Sequence, residues 1–268
     1  MSGQKIGFFG GGQMATALAG GAIAGGVCTE EDLVFVEPSE AQQEKLKSSY
    51  AAAKILATPQ EMMAESDKVF LAVKPHILRQ ELDALRTLVR GEQLLISIAT
   101  GISLADLQNG LGSNRVIRVM PNTPCLVGEG ASAMSVAEDI AEEDASWVRN
   151  LLSSVGEVVT VPDHLIHAIT GVSGSSPAYI YMVIEALSDG GVSQGLPRDV
   201  ATKMAAQAVL GAAKMVLESG LHPGELKDQV TSPGGTTIAA IRELEAAGVR
   251  SAFIEAVAAS SERSEELS

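Results

Sequence analysis

Over about the first 160 residues, short apolar runs alternate with stretches whose apolar positions recur every three or four residues. The runs Lys5–Phe9, Leu33–Val36, Lys68–Val73, Leu94–Ile98, Arg115–Val119 and Glu157–Val161 read as strands. Between them, Met14–Ala24, Glu40–Ser49, Ile77–Leu88, Leu104–Leu111 and Glu142–Ser154 carry a helical period. Such alternation predicts a mostly parallel sheet covered by helices on both faces, since near-continuous apolar strands must be buried on two sides. The pattern changes near Pro162, beyond which no segment reads as a strand. Pro177–Ser193 and Arg198–Glu218 read as long Ala-rich helices, with Pro197 at the start of the second and Gly220 just past its end. Two shorter helices are expected near Thr236–Ala247 and Ser251–Ser261. The expected architecture is an α/β sheet domain over residues 1–162 followed by an all-helical domain over 163–268.

Composition sharpens this picture. Hydrophobic residues make up 46% of the chain and aromatics only 3%, so the core must be built from Ala, Val, Ile and Leu. Small residues let helices approach closely, as in a bundle or a subunit interface. The net charge of −14 repels phosphate backbones and anionic membranes, which makes nucleic acid and lipid poor partners. The same charge also serves plain solubility. The opening MSGQKIGFFG lacks a signal peptide's features, and no stretch reads as apolar enough to cross a bilayer. A cytoplasmic protein is therefore expected. Cys28 and Cys125 match no metal-ligand spacing and read as ordinary thiols. His76, His164, His167 and His222 fall in no triad or ligand pattern, so no metal is expected.

The first candidate site is Ile6-Gly7-Phe8-Phe9-Gly10-Gly11-Gly12-Gln13-Met14-Ala15. Gly10, Gly12 and Ala15 satisfy G-x-G-x-x-G/A directly after a predicted strand and at a helix start. Gly10 allows the tight turn, Gly12 lets the backbone approach a pyrophosphate, and Ala15 keeps helix and strand close. Gln13 and Met14 open the helix, whose free N–H groups favour phosphate. The sheet domain is thus expected to be of the Rossmann, dinucleotide-binding type. The second strand ends in Glu37, 22 residues after Ala15, where an acid commonly accepts from the ribose hydroxyls and disfavours a 2′-phosphate. A solvated Glu at a strand end explains the residue equally well, and Ser39 could still donate to a phosphate. The turns Ala72-Val73-Lys74 and Ala99-Thr100-Gly101 end two further strands and should flank the cofactor, NADH or NADPH.

The second candidate site is Thr231-Ser232-Pro233-Gly234-Gly235-Thr236-Thr237. Two glycines before a helical pattern expose backbone N–H groups that would bind an anion, and a carboxylate is the natural one. A plain turn with a Thr cap accounts for the same residues.

Together with its surroundings, this segment is informative. Pro223–Leu244, PGELKDQVTSPGGTTIAAIREL, resembles the signature segment of pyrroline-5-carboxylate reductases. IGFFGGGQMA, LAVKP, SIATGIS, RVMPNTP and SGSSPAY also resemble family segments, and they occur in family order. The resemblance implies a Rossmann-type domain followed by a helical domain that forms a homodimer, with rings of dimers in many members. It implies NAD(P)H-dependent hydride transfer to the C=N bond of 1-pyrroline-5-carboxylate, giving proline. It further implies that Ser232, Gly234, Gly235, Thr236 and Thr237 hold the substrate carboxylate, with Thr237 also the candidate for proton delivery. Met120, Pro121 and Asn122 should approach the nicotinamide, as should Ser175, which would also contact substrate. Ser176 stands where the family more often has Gly, and Glu37-Pro38 replaces an ending seen in many NADPH-preferring members.

Two other readings are open. One is a hydroxy-acid reductase of the same architecture, whose acid would be a lysine such as Lys203, Lys214 or Lys227. The other is a protein that senses NAD(P)H without turnover.

Overall fold

The computed structural model describes residues 4–268. Its strands are β1 (Ile6–Phe9), β2 (Leu33–Val36), β3 (Lys54–Leu56), β4 (Lys68–Leu71), β5 (Leu94–Ser97), β6 (Val116–Met120), β7 (Gly130–Val136) and β8 (Gly156–Thr160). They form one sheet in the order 3-2-1-4-5-6-7-8. β1 to β6 run parallel, β7 returns antiparallel to β6, and β8 pairs parallel to β7. The helices are α1 (Gln13–Ala24), α2 (Glu40–Ser49), α3 (Pro59–Glu65), α4 (Pro75–Arg86), α5 (Leu104–Leu111) and α6 (Glu142–Ser153), then α7 (Ile166–Ile169), α8 (Ser176–Ser193), α9 (Arg198–Ser219), α10 (Pro223–Gln229), α11 (Thr236–Ala246) and α12 (Val249–Glu266). A single π-turn, Thr170–Gly174, joins α7 to α8.

The chain divides into two compact units. The first runs to Ser175 and includes Ala259–Ser268; the second is Ser176–Ala258.

The first unit explains why its strands read as unbroken apolar runs. Alternate residues of β1, β2, β4, β5 and β6 enter opposite cores. Phe8, Phe35 and Phe70 join Leu18, Ala19 and Leu151 on one face, while Val34, Val69 and Leu71 join Met62, Leu78 and Leu107 on the other. Each such Leu or Phe contributes about 1.5–3 kcal/mol by leaving water. Register puts Phe8 opposite both Phe35 and Phe70. Their rings stack at 5.1 and 4.9 Å, and Tyr50 extends the row at 5.6 Å from Phe35. At the far side of this core, Lys68 places its ammonium 4.8 Å from the ring centre of Trp147 on α6.

The two strands absent from the expected set, β3 and β7, lack that signal. β3 has three half-buried residues, and β7 is Gly-Ala-Ser-Ala-Met-Ser-Val, buried through small size and not through a branched apolar run.

In the second unit α8 packs along α9, with Gly191 against Ala201. Most large apolar side chains here face outward, including Met182, Met204, Leu217 and Ile254. One expectation fails: α9, at 22 residues, is long and apolar enough to cross a membrane by length and composition. Lys203 and Lys214 break the run to the eye, but Ala, Val, Leu and Met keep the average high.

Candidate functional site

In the first unit, the parallel strands deliver their carboxyl ends to one edge, where open parallel sheets bind ligands. Hydrogen bonds line those ends up: Gly10 N–H donates to Val36 O at 2.9 Å, Ala72 N–H to Phe9 O at 2.8 Å, and Ile98 N–H to Leu71 O at 3.2 Å. Glu37, Gly10, Ala72, Val73, Lys74, Ala99, Met120, Pro121 and Asn122 therefore follow one another in that order along a single sheet edge.

Gly10 has φ +110°, and a Cβ there would lie 2.8 Å from Ala72 O. Only glycine fits without forcing the β1 and β4 ends apart. Gly12, by contrast, is exposed, with nothing within 4 Å of where a Cβ would be. It is the N-cap of α1, which has neither a capping side chain nor an acidic residue in its first turn. The first N–H groups of α1 thus have no side-chain cap and no acid of their own turn competing for them, as an anion site at a helix start requires. Ala15 is fully buried against the sheet, while Gln13 is exposed and Met14 half-buried. These residues fit a dinucleotide pyrophosphate.

Glu37 lies beside this turn. Its Oε2 accepts from Gly11 N–H at 3.1 Å and its Oε1 from Ser39 N–H at 2.9 Å. A carboxylate has about four acceptor sites, so about two stay available for ribose hydroxyls. Gln42 Nε2 donates to Gly11 O at 2.7 Å, and Gln43 Nε2 to Glu37 O at 2.7 Å. Both polar groups of Gly11 are thereby held by side chains from the end of β2 and from α2. Leu46 closes the space above it, 2.5 Å from where a Cβ of Gly11 would sit. The role of Gly11, Gln42 and Gln43 went unread in the sequence. Gly11 falls on a free position of the motif, and the glutamines act from 31 and 6 residues away. Ser39 caps α2 through its backbone, without a side-chain bond, so its hydroxyl is uncommitted. Lys74 is an exposed residue at the start of α4.

Asn122 is committed. Its Nδ2 donates to Ser173 O at 3.0 Å and its Oδ1 accepts from Ala131 N–H at 2.8 Å. Buried and doubly bonded, it clamps the β6 end to β7 and to the π-turn. We expect Asn122→Ala to lower stability by about 2 kcal/mol, because two part-buried backbone groups lose their partners; a denaturant titration measures it. Ser175 ends the π-turn with its hydroxyl 2.8 Å from that of Ser260. It belongs to the first unit, in the same segment as Gly174, which lies against Met120, whereas Ser232–Thr237 belong to the second. Arg118, part of the RVMPNTP segment, is buried; its Nη1 meets Asp163 Oδ1 at 2.9 Å, and Asp163 Oδ2 accepts from Leu104 N–H at 3.2 Å. That pair ties β6 to the start of α5, a link no spacing rule would reveal.

The second unit holds the other loop. Gly234 has φ +64°, Gly235 is the N-cap of α11, and the helix opens on Thr236-Thr237. As at α1, no side chain caps it and no acid sits in its first turn. Ser232 presents its hydroxyl beside Gly235, and Thr237 is half-buried. Neither threonine caps the helix, but the turn is present at Pro233-Gly234, with Gly235 N–H donating to Ser232 O at 3.1 Å; a helix start without a side-chain cap can take an anion.

Other chemistry is muted. Burial, with help from Asp32, raises the Cys28 thiol to about 11, and burial also raises Cys125, so both stay protonated at neutral pH. Among the described residues no group of three or more His, Cys, Asp or Glu could hold a metal ion. His167 Nδ1 pairs with Ser264 Oγ, and His222 Nδ1 accepts from Gly224 N–H. Lys214 pairs with Glu218 and Lys227 with Asp228 at the surface, and Lys203 is exposed. None of these lysines is desolvated as a catalytic acid would be.

Comparison with known proteins identifies the family. Residues 163–267 match the family model for pyrroline-5-carboxylate reductase dimerisation, and residues 5–101 that for coenzyme F420-dependent NADP oxidoreductases. A pyrroline-5-carboxylate reductase of Arabidopsis thaliana is 45% identical, over 98% of this chain and 95% of its own length. The chain belongs to the pyrroline-5-carboxylate reductase family. The Escherichia coli pyrroline-5-carboxylate reductase is 44% identical, over 99% of this chain and 98% of its own. The crystal structure of the Plasmodium falciparum pyrroline carboxylate reductase with NADP bound superposes with a TM-score of 0.89 at 32% identity, covering 100% of this chain and 99% of that one. As a pyrroline-5-carboxylate reductase the chain is an NAD(P)-dependent oxidoreductase with a Rossmann-type sheet domain and a helical C-terminal region. The match to the dimerisation model also supports self-association through that region.

Proposed function

We propose that this chain reduces 1-pyrroline-5-carboxylate to proline with NADH or NADPH, using the turns described above. The observation that carries the reading is a pair of uncapped helix starts opened by glycines, one at Gly12 and one at Gly235. Each exposes N–H groups to an anion, and family membership supplies the anions: a dinucleotide pyrophosphate and a substrate carboxylate.

When bound, the reduced nicotinamide supplies the hydride. The protein's residues do the rest. Gly10, Gly12 and Ala15 seat the pyrophosphate against α1, and Glu37 holds the ribose. Met120, Pro121 and Ser175 are assigned to the nicotinamide end, with Asn122 fixing the backbone there. Ser232, Gly234, Gly235 and Thr236 hold the carboxylate and orient the ring, which can contribute several kcal/mol of alignment. The imine carbon accepts hydride readily only when its nitrogen is protonated. A threonine hydroxyl is a weak acid, so Thr237 acts as a hydrogen-bond donor or a relay from water. We expect Thr237→Ala to lower kcat about tenfold at neutral pH, and more at high pH, where the substrate arrives without its proton. Thr237→Ser should restore most of it. Unchanged kcat across a pH profile would remove the relay role and leave the carboxylate role standing.

The outward-facing Met182, Met204, Leu217 and Ile254 support a homodimer formed through the second unit, with rings of dimers as a further stage. Self-association also accounts for the apolar surface of α9 without a membrane, consistent with a soluble cytoplasmic enzyme. Following loss of nicotinamide absorbance with pyrroline-5-carboxylate, NADH and NADPH side by side, tests the whole reading. Proline as product supports it. A folded protein that binds dinucleotide but oxidises none would favour the sensing role.

A further inference from the structure

The last two turns of α12 belong to the first unit, and three polar contacts at helical spacing hold them there. Ser260 Oγ lies 2.8 Å from Ser175 Oγ, Ser264 Oγ 2.9 Å from His167 Nδ1, and Leu267 O 2.6 Å from Arg79 Nη2. Positions 260, 264 and 267 share one helical face. The third contact is forked: the same Nη2 of Arg79, on α4, also donates to Gly101 O. Gly101 sits in the turn after β5, with φ +74°, and a Cβ there would lie 3.2 Å from both Cβ and O of Leu267. Within the same turn, Thr100 Oγ1 approaches Met120 Sδ at 3.6 Å.

One guanidinium thus fastens a strand-end turn to the end of α12, and that turn adjoins Ala99 at the ligand-binding edge. We propose that Arg79 is a positioning residue for the dinucleotide site: it holds the Thr100–Gly101 turn against Leu267 in the conformation that receives the cofactor. The proposal rests on the dinucleotide reading of this edge. Arg79 is exposed and touches no reacting atom in this scheme, so its loss should leave folding and chemistry intact and act on cofactor affinity.

The test compares wild type with Arg79→Met and Arg79→Lys, measuring KM and kcat for each cofactor, calorimetric Kd for NADH and for NADPH, and thermal melts. Arg79→Met is expected to raise KM and Kd about fivefold for both cofactors, with kcat within about twofold, because a charge-assisted hydrogen bond is lost but no catalytic group. Arg79→Lys, which keeps a donor, should fall between. Unchanged cofactor KM and Kd in Arg79→Met would overturn the proposal. So would a lower melting temperature and kcat with KM held, since that marks a merely structural contact. A wild type that binds neither NADH nor NADPH would instead refute the dinucleotide reading itself.

Discussion

Gly10→Ala is expected to weaken binding of both NADH and NADPH by about 100-fold or more, with kcat/KM falling in step. Two costs combine. A φ of +110° is nearly closed to a residue with a side chain, and enforcing it costs roughly 1–3 kcal/mol. The new methyl would also stand 2.8 Å from Ala72 O and 2.9 Å from Val73 Cγ1, at the edge proposed for the cofactor. A backbone carbonyl cannot swing aside as a flexible side chain can. Relief must come from parting the β1 and β4 ends, which displaces the α1 start from the phosphates. Calorimetry with NADPH, alongside a thermal melt, separates this local effect from unfolding. Affinity within about threefold of wild type would show that the turn relaxes without moving α1.

The second large effect concerns the choice of cofactor. Glu37→Ser should raise the ratio of kcat/KM for NADPH over NADH by about 10–100-fold. At about 4–5 Å and an effective dielectric near 20, a carboxylate opposes each unit of negative charge on a 2′-phosphate by roughly 3–4 kcal/mol, and solvent screening reduces that. The gain will come partly from a fall with NADH. The shorter side chain would lose acceptors for the ribose hydroxyls and also release Gly11 N–H and Ser39 N–H, which Glu37 now holds. Steady-state kinetics with both cofactors measures the ratio, and an unchanged ratio would place the ribose away from Glu37.

Six of the strands were legible because each is buried on both faces or ends in an apolar run, and so leaves a signature in the chain. β7 was hidden: its Gly, Ala and Ser residues are buried by fitting narrow spaces, which no hydrophobicity pattern records. The candidate site divides in the same way. Gly10, Gly12 and Ala15 work through local backbone geometry, so their spacing announces them. Gly11, Gln42 and Gln43 work by meeting across a fold that only the tertiary structure supplies. Asn122 was recognisable as part of a motif, but its clamp on Ala131 and Ser173 depends on partners 9 and 51 residues away. The apolar periodicity of α12 fades near Ser261, yet the helix continues to Glu266, and the added turn brings Leu267 to Arg79.

The stacking of Lys68 over Trp147 has a practical side. Trp147 is the chain's one tryptophan, and it sits on α6 in the first unit, with a cation held 4.8 Å from its ring. Its fluorescence therefore reports on the sheet side of the molecule, while the second unit, built from α8 to α11 and the body of α12, contributes no tryptophan emission of its own. Far-ultraviolet circular dichroism weights that helical unit heavily. A melt followed by both signals is thus a two-channel recording of one chain, and a gap between the two midpoints would reveal the units letting go in turn.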